Sequence, residues 1–193
     1  MIEKHLPEAH ECMPDKRVLF ARLGTRYTAQ INDHDFIHRI NALFLTALKQ
    51  IDPAVYHVTI DAETMPIEAI PSTFGNVKKI SIFLSTLGIR FDKAIQQLLD
   101  QSKTFEATVM DAWGSEALET LNKKFDSFLR NRFGKGTMRF SPGYGNVDIR
   151  ANKYIVKKLL KLSEITVLDT GVMIPRKTTT CMIGWYCEEN RIS

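Results

Sequence analysis

The chain has no apolar run near the roughly 18 residues that a membrane-spanning helix needs, so no membrane span is expected. Its first residues, Met1-Ile2-Glu3-Lys4-His5-Leu6-Pro7-Glu8, lack a cationic stretch leading into an apolar block, which argues against a secretory leader. Cysteine is scarce: Cys12, Cys181 and Cys187 are the three in 193 residues. A sparse odd set makes no disulfide framework and fits reduced thiols in a cytoplasmic protein. Neither sign of charge dominates. The net charge of +4 is spread along the chain, not striped with aromatics, so nucleic acid is not an expected partner. Repeats, low-complexity segments and dividing linkers are missing as well. No Ser/His/Asp set, reactive Cys/His pair or paired carboxylates stand out. Catalysis by this chain alone is therefore not expected: it binds and presents something whose reactive atoms belong to a ligand and to a cofactor held elsewhere.

What is present is a globular composition, 44% hydrophobic and 25% charged, long enough for one domain with a substantial core. Asp33 or Asp35 can cap a helix reaching about Gln50, with Phe36, Ile40, Leu43, Phe44, Ala47, Leu48 and Ile51 as one apolar stripe. Pro53 stops it. Residues 54–60 alternate and are β-branched, and residues 79–85 form a more apolar run; both predict strands. Residues 91–133 predict a shorter and a longer helix, ended by Gly134 and Gly136. A further helix is expected over 151–162, with strands near 165–173 and 178–186. Elements that come in runs rather than strict alternation predict an α+β domain, an antiparallel twisted sheet carrying several helices. Residues 1–30 read as a loosely packed N-terminal extension.

Metal-ligating residue types occur, but not at useful spacings. His34 and His38 stand at i and i+4 around Asp35, without a third ligand at a recognised distance. His5, His10 and Cys12 match no site pattern, and no metal is expected. Cys181 and Cys187 share one strand face but lie too far apart to bridge. Gly134-Lys135-Gly136 lacks phosphate-loop spacing and serves as a helix terminator.

The densest chemistry lies in Arg139-Phe140-Ser141-Pro142-Gly143-Tyr144-Gly145. Ser141-Pro142-Gly143-Tyr144 has the order of a type II turn: proline pre-sets φ at the second position and Gly143 supplies a positive φ at the third. Arg139 can clamp a carboxylate with its planar fork, and Tyr144 offers a flat face and a hydroxyl. Two readings fit these residues, a cradle for a small zwitterionic ligand with a ring and a surface turn beside an unrelated arginine.

Arg139-x-Ser141-Pro142-Gly143-Tyr144 resembles the Arg-x-Ala-Pro-Gly-Tyr signature of the activation domain of cobalamin-dependent methionine synthase. The stretch from Gly171-Val172-Met173-Ile174-Pro175 to Thr178-Thr179-Thr180 follows at about the distance of that family's Thr-Glu-Ser-x-Ala-Met-x-Pro-x-Ala-Ser-Val-Ser segment. The resemblance covers residues 112–186 and is closest to a stand-alone form of the domain. Two departures stand out. Ser141 replaces the common alanine, and Gly145-Asn146-Val147-Asp148 replaces a segment that in the family leads to a histidine. Glu116 and Glu119 fall in the helix where the family places acidic ligand contacts, at an undetermined register.

The resemblance implies an S-adenosylmethionine-binding module. Arg139 would hold the methionine carboxylate. Ser141 and Gly143 would offer backbone groups oriented by Pro142-Gly143, and Tyr144 would line the site. Thr178, Thr179 and Thr180 would lie on a neighbouring strand. The implied task is orientation: cobalamin oxidised to Co(II) in a partner methionine synthase chain is reduced by a flavodoxin- or ferredoxin-type donor and methylated from S-adenosylmethionine. Lys157, Lys158 and Lys161 make a basic helix face that could greet this partner. Alternatives are reactivation of another corrinoid methyltransferase, or a structural partner that has lost the ligand.

Overall fold

The computed structural model describes residues 1–30 and 32–186. Its sheet runs β1-β2-β3-β6, with β1 Glu3–His5, β2 Ala54–Asp61, β3 Lys79–Thr86 and β6 Thr178–Trp185, every neighbour antiparallel. The helices are α1 Lys16–Arg22, the single turn α2 Tyr27–Gln30, α3 His34–Gln50, α4 Ile89–Asp100, α5 Thr104–Phe133 and α6 Ala151–Tyr154. The last continues as a wider π turn over Ile155–Leu159. This is the α+β arrangement that the order of elements predicts.

The sheet is covered on both sides, which explains its apolar strands. Val55 and Phe83, with Cys181, Ile183 and Trp185, point into the core built by α3, α4 and α5. Tyr56, Val58, Ile80, Ile82, Leu84 and Met182 point the other way, into a second core with Phe74, Val147, Ile155, Val156 and Leu160. The period-2 pleat of β3 thus sorts Phe83 from Ile82 and Leu84 onto opposite faces. Helix α5 is about 45 Å long at 1.5 Å per residue. It buries Met110, Trp113, Leu121, Phe125 and Leu129 against the first face.

Asp33 caps α3 by accepting from Phe36 N at 3.0 Å. Gly134 ends α5 with φ +78°, its N–H returning to Arg130 O. Two expectations need correction. Residues 1–30 are not a loose extension: β1 pairs with β2, and Cys12, Leu19 and Phe20 are at most 1% exposed. The short apolar runs around Cys12 and Leu19-Phe20 are too brief to show periodicity, but they fill the groove beside α5. Residues 165–173 are not one strand. They fold as a small antiparallel ribbon of β4 Thr166–Val167 and β5 Met173–Ile174, because Gly171 takes φ +86° between them.

Burial drives the Cys12 thiol up to about 12 and that of Cys181 to about 11, so both are inert thiols of the core. Cys187 lies outside the described residues. Burial likewise drives His57, 1% exposed on β2, from the ordinary 6.5 down to about 4, against the opposing pull of the nearby Glu3 carboxylate and with Arg132 and His5 adding to the depression. The unfolded chain then takes up this proton before the folded one. Stability present above pH 6.5 is lost as pH falls toward 4. At about 1.4 kcal/mol per unit, the loss by pH 4.5 is about 2–3 kcal/mol. Urea unfolding at pH 7 and 4.5 should show this loss in the wild type and a clearly smaller one in His57→Gln. Equal losses in the two proteins would refute the assignment.

Candidate functional site

The site is built on the outer edge of β6. One edge of this strand pairs with β3 along its whole length. The other edge is covered only in its second half. There Phe140 N donates to Met182 O at 2.9 Å, Met182 N donates to Phe140 O at 2.7 Å, and Thr137 N donates to Gly184 O at 2.8 Å. Main-chain groups of alternate residues face the same edge, so the N–H and C=O of Thr180 also turn away from β3. Beyond Phe140 the chain leaves the strand in the Ser141-Pro142-Gly143-Tyr144 turn, and a cleft of about 550 Å³ opens beside the first half of β6.

This cleft collects the residues that the motif singles out. Arg139, Ser141, Pro142, Tyr144, Thr178, Thr179 and Thr180 all line it. Gly143 lies behind the lining and shapes the turn with φ +97°, its N–H donating to Val147 O at 2.8 Å. Alternation along the segment turns Phe140 into the second core and Arg139 back toward α5. Tyr144 is 72% exposed and forms the rim. Ser141 Oγ lies 3.5 Å from the buried Cys181 Sγ.

The structure adds residues whose sequence signal was weak. Glu119 and Asn122, three apart on α5, face the cleft together. Glu119 accepts from Arg139 Nη2 at 2.5 Å, which resolves its register. Glu116 does not reach the cleft. It pairs with Arg22 at 2.5 Å on another side of α5. Asn122 is 4% exposed and its amide oxygen has no hydrogen-bond partner. A buried acceptor left open on a cleft wall is a position where a ligand donor would be satisfied. Asn152, at the start of α6, locks the far wall: it accepts from Thr180 Oγ1 at 2.5 Å and donates to Gly171 O at 3.0 Å. An asparagine at the second position of a candidate helix carries no hint of this role.

The lysine face is divided. Lys157 Nζ donates to Leu162 O at 2.9 Å and Ile165 O at 2.6 Å, so it closes the end of the helix and is not free to steer a partner. Lys158 and Lys161 remain exposed, and none of the three lines the cleft. His34 and His38 are exposed on the first turns of α3.

The lining therefore presents two cations, Arg139 and Arg176, a carboxylate, an unpaired buried amide oxygen, three threonines and an aromatic rim. Its volume falls within the roughly 300–1,000 Å³ typical of small-molecule sites. The charges suit a ligand carrying both a carboxylate and an ammonium.

No protein-family model matches the chain, and no curated protein matches it. Among solved structures, the crystal structure of the MetH reactivation domain bound to AdoHcy matches with a TM-score of 0.72 and 12% identity. The match spans 100% of this chain and 81% of that one, so the two share a fold.

The cleft wall at Gly171 can be tested. A Cβ there would lie 2.5 Å from Ile149 O and 2.8 Å from Arg150 N, both main-chain atoms, on a backbone with φ +86°. Gly171→Ala should lose about 2–4 kcal/mol in urea unfolding. Gly24→Ala has a similar φ of +78° and nothing within 4 Å, so it should lose only the conformational part, about 1 kcal/mol. Equal losses at the two positions would mean that the close approach at Gly171 is relieved without strain.

Proposed function

We propose that the cleft binds S-adenosylmethionine and that the chain supports reductive methylation of Co(II) cobalamin carried by a partner methionine synthase that lacks such a domain. The observation that carries this reading is convergence. The Arg139 turn and the Thr178, Thr179 and Thr180 stretch, 34 or more residues apart in sequence, line one cleft. They do so in a fold shared with a reactivation domain solved with AdoHcy.

The residues fit the ligand's chemistry. Arg139 would take the amino-acid carboxylate with its planar fork, and Glu119 beside it would take the ammonium. Asn122 Oδ1 and the outward N–H and C=O of Thr180 offer one further donor and two acceptors to the polar parts of the nucleoside. Tyr144 at the rim offers a face to the ring system. S-adenosylmethionine supplies the sulfonium methyl group. What the chain would supply is position: Arg139, Glu119 and the Thr180 main chain would hold the ligand in one orientation, which would spare a docked partner a search in orientation. The electron would come to the complex from a flavodoxin- or ferredoxin-type donor.

Titration calorimetry with S-adenosylmethionine and with its demethylated product is the direct test. Loss of a charge-assisted fork corresponds to about 1.5–3 kcal/mol, so Arg139→Ala should bind roughly 10- to 100-fold more weakly. Arg139→Lys, which keeps the charge without the fork, should fall between. Unchanged affinity in folded Arg139→Ala protein would remove the assignment.

Partner docking has a separate readout. Lys158→Glu combined with Lys161→Glu should slow the return of a Co(II) methionine synthase lacking its activation domain, and should flatten the salt dependence of that rate. Ligand affinity should not change. A normal rate at all ionic strengths would place the docking surface elsewhere.

A further inference from the structure

On the opposite edge of the sheet from the cleft, β1 carries Glu3 and His5 on one face, and the register sets Glu3 directly against His57 of β2. Three ligating atoms converge there. His5 Nε2 lies 3.6 Å from Glu3 Oε2, His57 Nδ1 lies 3.8 Å from the same oxygen, and the three atoms are all within 4.8 Å of one another. Both ring nitrogens are buried and have no hydrogen-bond partner. His57 as a whole is 1% exposed.

We propose that Glu3, His5 and His57 form a binding site for a divalent transition metal of the zinc class. Tetrahedral zinc with bonds near 2.0–2.1 Å holds its ligand atoms about 3.3 Å apart, so closure needs only small movements. Two imidazoles and one carboxylate are a donor set suited to zinc, cobalt and nickel rather than to calcium or magnesium. The tautomer is prepared. Metal binding at His57 Nδ1 requires the hydrogen on Nε2. Thr59 Oγ1 at 3.0 Å and Ser81 Oγ at 3.3 Å stand where they can receive it. Ser81 is itself held by Trp185 Nε1 at 2.8 Å. This is the outer-sphere support that orients ligating histidines. The rings of Phe125 and Phe128 flank His5 at 5.0 and 5.3 Å between centroids and close the other side.

Arg132 works against the site. Its Nη1 donates to both oxygens of Glu3 at 2.9 Å, and its charge opposes a second cation. A bound metal would share the carboxylate, taking Oε2 while Arg132 keeps Oε1. A cleft of about 340 Å³ lined by Glu3, His57, Asp61, Lys79 and Arg132 adjoins the site, and water or a small anion there could fill a fourth position. The consequence is mechanical. A three-residue edge strand is weakly held by its own ladder, and a metal would clip it to β2.

The test uses the full chain without a metal-binding tag, stripped with chelator and dialysed against micromolar zinc or cobalt. One metal per chain is expected by elemental analysis, with cobalt giving the visible absorption of a four-coordinate site. His5→Ala and His57→Gln should each weaken binding at least about 10-fold, the lower end of what even outer-sphere changes produce. The double variant His34→Ala, His38→Ala should bind as the wild type does. Arg132→Gln should bind more tightly. Zinc should raise the thermal midpoint of the wild type but not of His5→Ala. Should His57→Gln fail to fold, His5→Ala, at the half-buried edge position, carries the comparison alone. The proposal is overturned if no stoichiometric metal is retained at micromolar concentration, if binding survives His5→Ala, or if it follows His34 and His38.

Discussion

The paired main-chain bonds between Phe140 and Met182 are the constraint on which the candidate site depends. They dock the segment after α5 against the outer edge of β6 and stop it there. Were the pairing to continue two residues further, the extended chain would fill the space beside Thr180 and no cleft would form. Pro142 prevents that continuation, since it has no N–H to give to a ladder. Gly143 then turns the chain outward. The cleft is thus an unfinished strand addition: half of an edge is covered, and the other half keeps its donors and acceptors for something else.

The same edge explains why residues distant in sequence meet. Thr178, Thr179 and Thr180 are fixed by their pairing with Thr86, Ser85 and Leu84. Arg139 is fixed one step beyond a bridge to the same strand. Glu119 and Asn122 come from α5, which is packed rigidly on the sheet's first face. Asn152 ties Thr180 to the Gly171 carbonyl by bonding both. Glu119, Asn122, Asn152 and the three threonines are therefore carried by elements whose positions are set by packing elsewhere.

Much of this was legible in the sequence, for physical reasons that differ by element. Helices α3 and α5 and strands β2 and β3 are long, and their apolar residues recur at clear periods, so type and approximate limits follow directly. The turn at Gly143 was legible because its residue order admits few backbone paths. The ribbon of β4 and β5 was not, since two-residue strands have no period and the deciding feature is the φ of Gly171. The packing of residues 1–30 was not legible either. It rests on Cys12, Leu19 and Phe20 filling a groove made by distant helices. At the cleft, Arg139 and the threonines were visible as a motif. Glu119 and Asn122 needed the rotation of α5 about its axis, which no local pattern fixes over 30 residues.

Arg139 and Glu119 meet in the cleft as an ion pair, and Arg176 stands on the same lining as a second cation. A guest bearing only a carboxylate would draw Arg139 away and strand Glu119, and a guest bearing only an amine would do the reverse. Each leaves a partly desolvated charge without a counterion. A guest with both groups converts one internal pair into two shared ones and strands neither. In the proposed binding role the pair would sort molecules by the pattern of their charges, and would disfavour the wrong pattern through what is left behind rather than through a clash.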